Sequence, residues 1–199
     1  APKSKADLAF IMHSLSWLAS NGTAAIVCFP GILYRGGAEK KIRQYLIDNN
    51  FIDCIIQLPS NLFFGTSIAT CIMVLKKNKA DSKTLFIDAR KMGTMVSRKL
   101  REFTDEDIAK VAGAFDAFRE GKLEEEKGFS AAASIEDIAK QDYIITPGRY
   151  VGIADVEEDD EPFEEKMTRL TGEISKCFEE SNRLQEQIKK NLEAIGYGL

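Results

Sequence analysis

Two strand-like runs, each ended by a proline, constrain the fold of this chain most strongly. Residues 24–29 read AAIVCF before Pro30, and residues 51–58 read FIDCIIQL before Pro59. The first run is apolar without interruption, which is typical of a strand buried on both faces, as in a sheet covered by helices. We therefore predict an α/β protein.

Apolar residues at helical spacing precede each of the two runs. Leu8, Ile11, Met12, Leu15 and Leu18 predict a first helix, capped at Ser4 and ended by Asn21-Gly22. In this arrangement His13 faces a helix–strand interface in a structural role. A second helix is predicted over residues 38–49, with three inward-facing side chains: Ile42, Tyr45 and Leu46.

Two further strands are predicted over residues 69–76 and 84–89. The turn between them, 77–83, is too short for a helical crossover, which favours a hairpin and an antiparallel final pair. These elements make up only part of a doubly wound sheet.

The remaining chain is mainly helical in pattern. We predict a helix capped by Thr104 over residues 104–118, a loop over 121–134, a short helix capped by Ser134 and ending near Gln141, and a turn around Pro147-Gly148. The acidic run 157–161 precedes Pro162, a residue suited to a first helical turn.

From residue 163 to residue 195 apolar positions recur in threes and fours, as in a coiled-coil seam. As one helix this segment spans roughly 50 Å at 1.5 Å per residue. The seam can pack on its own domain or on a partner chain, and its length favours a partner. Its least ambiguous contact residues are Met167, Leu170, Ile174, Leu184 and Ile188.

Charge and cysteine usage narrow the class of protein. Residues 1–101 carry 15 Lys/Arg against 6 Asp/Glu, and residues 102–199 carry 12 against 25, so the basic half is the better partner for phosphate. Four scattered cysteines and a single histidine favour a reducing cytosol and exclude a histidine-based metal site.

No apolar run is long enough to span a membrane. Glycine spacings typical of dinucleotide-binding turns and P-loops are absent.

Several segments resemble one family closely: DLAFIMHSL at 7–15, GILYRGGAE at 31–39 and LPSNLFFGTSIAT at 58–70. The chain is similar to the modification subunit of type I restriction–modification systems over most of residues 5–151. The resemblance implies a Rossmann-like sheet with antiparallel last strands, and methyl transfer from S-adenosylmethionine to the exocyclic amine of adenine in duplex DNA. It also implies a specificity subunit as partner, often together with a restriction subunit; the cysteine usage predicts a cytoplasmic location.

The family's glycine-containing cofactor turn and Asn-Pro-Pro-Phe/Tyr tetrapeptide are absent from this sequence. We therefore expect no catalytic residue, no metal and no cofactor binding in this chain alone, which we interpret as a C-terminal fragment. The resemblance implies that Phe63, and secondarily Phe64, stack on a target base flipped out of the duplex.

Basic residues supply the predicted DNA contacts. Arg35 lies in a loop after a strand, and the basic stretch 76–101 adds four more: Lys76, Lys77, Lys79 and Lys83. We expect three parts: residues 1–101 as half of a methyltransferase domain, 102–155 as a helical and extended region, and 156–199 as a docking helix. The alternatives are a non-enzymatic interaction module and a solitary methyltransferase fused to its own recognition domain.

Overall fold

A computed structural model describes residue 2, residues 5–154 and residues 162–197. The chain forms two compact units, 1–155 and 156–199. The predicted division at residue 101 stays a prediction, and Ser4 and the acidic run 157–161 lie outside the described residues.

The first unit contains four helices and seven strands within its described residues. In chain order they are α1 Asp7–Trp17, β1 Thr23–Cys28, α2 Ala38–Asp48, β2 Ile52–Gln57, β3 Cys71–Lys76, β4 Lys83–Asp88, β5 Thr94–Met95, β6 Arg101–Glu102, α3 Asp105–Arg119, β7 Ser130–Ser134 and α4 Ile135–Lys140. Two 3-10 turns, Pro30–Leu33 and Pro147–Arg149, complete it. The second unit contains α5, Phe163–Ala194.

The main sheet has the strand order β1-β3-β2-β4-β7. β3 runs antiparallel to β1 and β2, whereas β4 runs parallel to β2. β1, β2 and β4 therefore share one direction, and we call the end where they finish the carboxyl edge and the other the amino edge. The predicted α/β class with antiparallel strands is confirmed.

The predicted hairpin between β3 and β4 is wrong, because β2 lies between them. All six residues of β2 are buried. The backbone N–H and C=O groups of such a strand need hydrogen-bond partners, which a neighbouring strand on each side supplies. The link 77–82 needs to cross only about two strand spacings, roughly 10 Å, which six residues span easily.

Two other strands differ from the prediction. β1 is an edge strand whose side chains alternate between exposed and half-buried, so it is not buried on both faces. β7 forms where a loop was predicted: its Ser-Ala-Ala-Ala-Ser sequence carries no strand periodicity, and pairing with β4 establishes it.

The first two helices also need correction. α1 begins at Asp7 after Ala6, which makes no side-chain cap, and ends at Trp17, before Asn21. His13 is exposed beside Trp17, with ring centroids 5.1 Å apart, so the predicted interface position is wrong. In α2 Tyr45 is largely exposed, because the buried face is turned toward Arg43 and Ile47.

The predicted caps of α3 and α4 are confirmed. Thr104 accepts a hydrogen bond from the Asp107 backbone N–H, and Ser134 accepts one from that of Asp137. The sheet is covered on both faces. One apolar cluster joins α1, α2 and α4 to the sheet, and a second joins α3, Leu123 and Phe129 to the other face.

The long helix predicted from residue 162 is confirmed as α5, with Pro162 at its N-cap. None of its described residues is buried, and the apolar seam is exposed. Among the described residues, no helix is long and apolar enough to cross a membrane, and no group of side chains is placed to hold a metal ion.

Candidate functional site at the carboxyl edge

The loop between β2 and β3 emerges from the carboxyl edge and is held at both ends. At its base, the Leu58 N–H donates to the Thr70 carbonyl at 2.9 Å. Asn61, at φ 62°, accepts a hydrogen bond from the Arg101 N–H at 2.8 Å. Leu62 packs into the cluster beneath α3. The loop is therefore anchored through Leu62, and its tip projects beyond the sheet.

Phe63 and Phe64 occupy this tip. Phe63 is 40% exposed and its carbonyl accepts a hydrogen bond from Thr66, whereas Phe64 is 94% exposed. A phenylalanine in a loop between two strands is commonly a core residue, but a ring as exposed as that of Phe64 adds little to folding, so Phe64 is not one. Base stacking by either ring stays a prediction.

Buried polar atoms flank the base of the loop. Within the described part of the chain, Gln57 Oε1 and Thr70 Oγ1 are buried without a hydrogen-bond partner. The sequence analysis missed both residues, since a lone polar side chain at the end of a strand carries no motif. A polar group entering the base of this loop would find two acceptors there.

The Arg35 side chain is partly buried against its own domain. Its guanidinium lies 3.9 Å from Asp7, 3.6 Å from Glu39 and 5.1 Å from the centre of the Phe29 ring. These contacts favour a structural role that joins α1 to α2. Phosphate contact by Arg35 stays a prediction.

The predicted lysines lie at the amino edge, about 17 Å from the Phe63 loop along β3 at roughly 3.3 Å per residue. Lys79 is buried: its ammonium donates to the Ile52 carbonyl at 2.8 Å and to the Lys83 carbonyl, and lies 3.9 Å from Asp53. Burial lowers the pKa of Lys79, and Asp53 partly offsets that effect. Lys79 is therefore a structural counter-ion, unavailable to DNA in this structure. Contacts by Lys76, Lys77 and Lys83 stay predictions.

The sheet cysteines are unsuited to nucleophilic chemistry. Burial raises the pKa of Cys28 to about 11 and that of Cys71 to about 12, and it raises the pKa of Cys54 as well. All three thiols are therefore protonated near neutral pH. Cys177, on α5, is exposed.

Comparison with known proteins identifies the fold class and the family of this chain. The mixed sheet is that of the Rossmann-like methyltransferase class: a methyltransferase subunit of a type I restriction-modification system from Streptococcus thermophilus superposes with a TM-score of 0.71 at 41% identity, over 77% of this chain and 31% of that one. The sequence profile described as N-6 DNA Methylase matches residues 1–159. This chain belongs to the N-6 DNA methylase family.

Curated relatives agree with this assignment. The type I restriction enzyme HindI methylase subunit of Haemophilus influenzae is 39% identical over 98% of this chain and 45% of its own length. The MpnII methylase subunit of Mycoplasma pneumoniae is 40% identical over 98% of this chain and 34% of its own length. The chain thus spans less than half the length of these relatives.

Two places at the carboxyl edge bear on the cofactor prediction, and the absence of S-adenosylmethionine binding by this chain stays a prediction. Ile32 and Leu33 are fully buried in the loop after β1. At the end of β4, both Asp88 carboxylate oxygens accept hydrogen bonds from Arg90, at 2.6 to 3.0 Å.

Proposed function

We propose that this chain forms part of a modification subunit that methylates the exocyclic amine of adenine in duplex DNA, within a type I restriction–modification complex. The full-length subunit would bind S-adenosylmethionine, which supplies the methyl group. It would work in the cytoplasm with a specificity subunit and a restriction subunit. Residues outside this sequence would hold the cofactor.

One observation carries the proposal: two exposed aromatic side chains project from an anchored loop at the carboxyl edge of a methyltransferase sheet. Ligands of open α/β sheets bind at this edge. A base inside a duplex cannot reach an enzyme pocket, so the nucleotide must be extruded and held, commonly against aromatic rings. In this proposal Phe63 and Phe64 hold it.

The test is methylation by the full-length subunit assembled with its specificity subunit. Duplex DNA that carries the recognition sequence is incubated with S-adenosylmethionine bearing a tritiated methyl group, and the modified nucleoside is identified by mass spectrometry. We expect N6-methyladenine at one site. Label on cytosine, or no label on any duplex, would refute the proposed function. A duplex in which the target adenine is replaced by guanine is the control.

A second function, protein docking through α5, rests on a different observation. The seam residues Leu170, Ile174 and Ile188 are exposed, although each buried side chain of this size contributes roughly 1.5–3 kcal/mol. A helix with such a seam, and with no buried residue among those described, is suited to packing against a partner helix. We assign it to the specificity subunit.

A further inference from the structure

We propose that the β5–β6 hairpin grips the DNA backbone beside the extruded base, through Arg98 and Lys99 at its tip. This inference rests on the proposed function and names a contact surface outside the Phe63 loop. It also changes which part of the basic stretch 76–101 binds phosphate.

The tip of the hairpin is an ordered turn. The Val96 N–H donates to the Leu100 carbonyl at 3.0 Å, and the Ser97 hydroxyl oxygen accepts from the N–H groups of Lys99 at 3.3 Å and Leu100 at 3.1 Å. Since the backbone between Val96 and Leu100 is held by these bonds, the two cations are presented at a defined place. A fixed turn loses less conformational entropy on binding than a flexible one.

The base of the hairpin is tied to the Phe63 loop. Arg101 in β6 donates its backbone N–H to Asn61, and its guanidinium donates to the Met92 and Gly93 carbonyls at 2.9 Å each. Phe103 packs in the same cluster as Leu62. The hairpin and the aromatic loop therefore lie side by side at the carboxyl edge.

This link limits the distance between the two features. Lys99 and Phe63 each lie two residues from the Arg101–Asn61 hydrogen bond, so their Cα atoms are at most about 20 Å apart at 3.6 Å per residue. Twenty ångströms corresponds to about six base-pair steps of 3.4 Å. A DNA duplex whose base reaches Phe63 thus brings phosphates within reach of the hairpin.

The two cationic side chains at the tip of the hairpin are free to contact phosphate. Arg98 and Lys99 are exposed, and in the described part of the chain neither forms an ion pair. Arg90 and Arg101, by contrast, are engaged by Asp88 and by backbone carbonyls. Glu102, in β6, lies opposite Thr94 in the strand register, at the end of the hairpin away from its tip, and the Asp107 carboxylate accepts a hydrogen bond from the Thr104 N–H.

Position separates these cations from the lysines of the amino edge. Lys76 and Lys83 belong to the same basic stretch, but β4 carries the chain across the whole sheet between the two groups. A phosphate contact close to the extruded base requires cations at the carboxyl edge. Arg98 and Lys99 meet that requirement.

The experiment measures the salt dependence of DNA binding by the full-length subunit assembled with its specificity subunit. Each phosphate contact contributes about 0.9 to the slope of log affinity against log salt. The double variant Arg98→Ala/Lys99→Ala should therefore lower that slope by about 1.8. Between 50 and 200 mM salt it should lose about twelvefold less affinity than the wild type does.

A matched control removes two cations elsewhere. Lys122 and Lys140 pair with Glu120 and Asp137, each at 2.8 Å, and follow α3 and end α4. Lys122→Ala/Lys140→Ala should keep the wild-type slope. An unchanged slope in the hairpin variant would overturn the proposal. Weaker co-purification with the specificity subunit at an unchanged slope would also overturn it, and would identify an acidic protein surface as the partner.

The outcome is separable from that of the proposed function. Methylation by the wild-type complex is scored in parallel, and its absence would refute the adenine methyltransferase assignment whatever the binding slopes are. A slope lowered only in the hairpin variant would still establish the phosphate contact.

Discussion

Truncation of Phe63 in the full-length subunit should slow DNA methylation without unfolding the protein. Stacking of a base on an aromatic ring is worth roughly 1–3 kcal/mol by alanine substitution. At 1.4 kcal/mol per factor of ten, Phe63→Ala should reduce the methylation rate by about one to two orders of magnitude. Phe63→Trp keeps an aromatic face and should lose much less.

The structure separates this effect from a stability effect. A fully buried phenylalanine costs roughly 3–5 kcal/mol on truncation to alanine, and Phe63 is 40% exposed, so Phe63→Ala should cost roughly 2–3 kcal/mol of unfolding free energy. Phe64 is 94% exposed, so Phe64→Ala should change stability by at most about 0.5 kcal/mol. Phe64→Ala is thus the matched neighbour for both measurements.

The assay compares initial methylation rates at saturating cofactor on a matched duplex and on one with a mismatch opposite the target adenine. A mismatch lowers the cost of extruding the base, so it should restore part of the rate lost in Phe63→Ala. Thermal unfolding and cofactor affinity are measured on the same samples. If Phe63→Ala is less stable yet methylates normally while folded, Phe63 is a packing residue, and the stacking role would be refuted. A defect in Phe64→Ala alone would assign stacking to Phe64.

Three other outcomes follow from the structure. Calorimetric titration of the 199-residue chain with S-adenosylmethionine should show no binding, and a micromolar dissociation constant would mean that the cofactor site is misplaced. Leu184→Ser/Ile188→Ser in the full-length subunit should weaken co-purification with the specificity subunit and leave cofactor affinity intact; unchanged co-purification would show that α5 packs elsewhere. A thiol reagent at pH 8 should label Cys177 rapidly and the three sheet cysteines only slowly, since burial raises the pKa of those thiols; Cys177→Ser should abolish the fast phase, and a second fast thiol would contradict the burial of the sheet cysteines.

The fold was predictable where stabilisation is local. The caps at Thr104 and Ser134 depend on a hydroxyl and a backbone N–H three residues away, so the residue type alone indicates them. β7 was not predictable: three alanines between serines acquire strand geometry only by pairing with β4.

The candidate site was partly predictable. The resemblance of residues 58–70 indicates that the Phe63 loop is important, and the structure shows where the loop emerges from the sheet. The resemblance does not indicate which lysines and arginines lie at the carboxyl edge beside this loop. From Lys76 to Arg101 inclusive the sequence has nine lysines and arginines, and only strand direction separates those at the amino edge from Arg98 and Lys99.

The sequence by itself determined the α/β class, the buried β2 strand and the extent of α5, because hydrophobic periodicity and capping act over a few residues and leave a direct pattern. Only the tertiary structure decided the strand order, the edge position of β1, the burial of Lys79 and the placement of the β5–β6 hairpin beside Phe63. These features depend on contacts between residues far apart in the chain. A short link such as 77–82 is equally compatible with a hairpin and with a crossing over β2, and the burial of β2 between two neighbours favours the crossing.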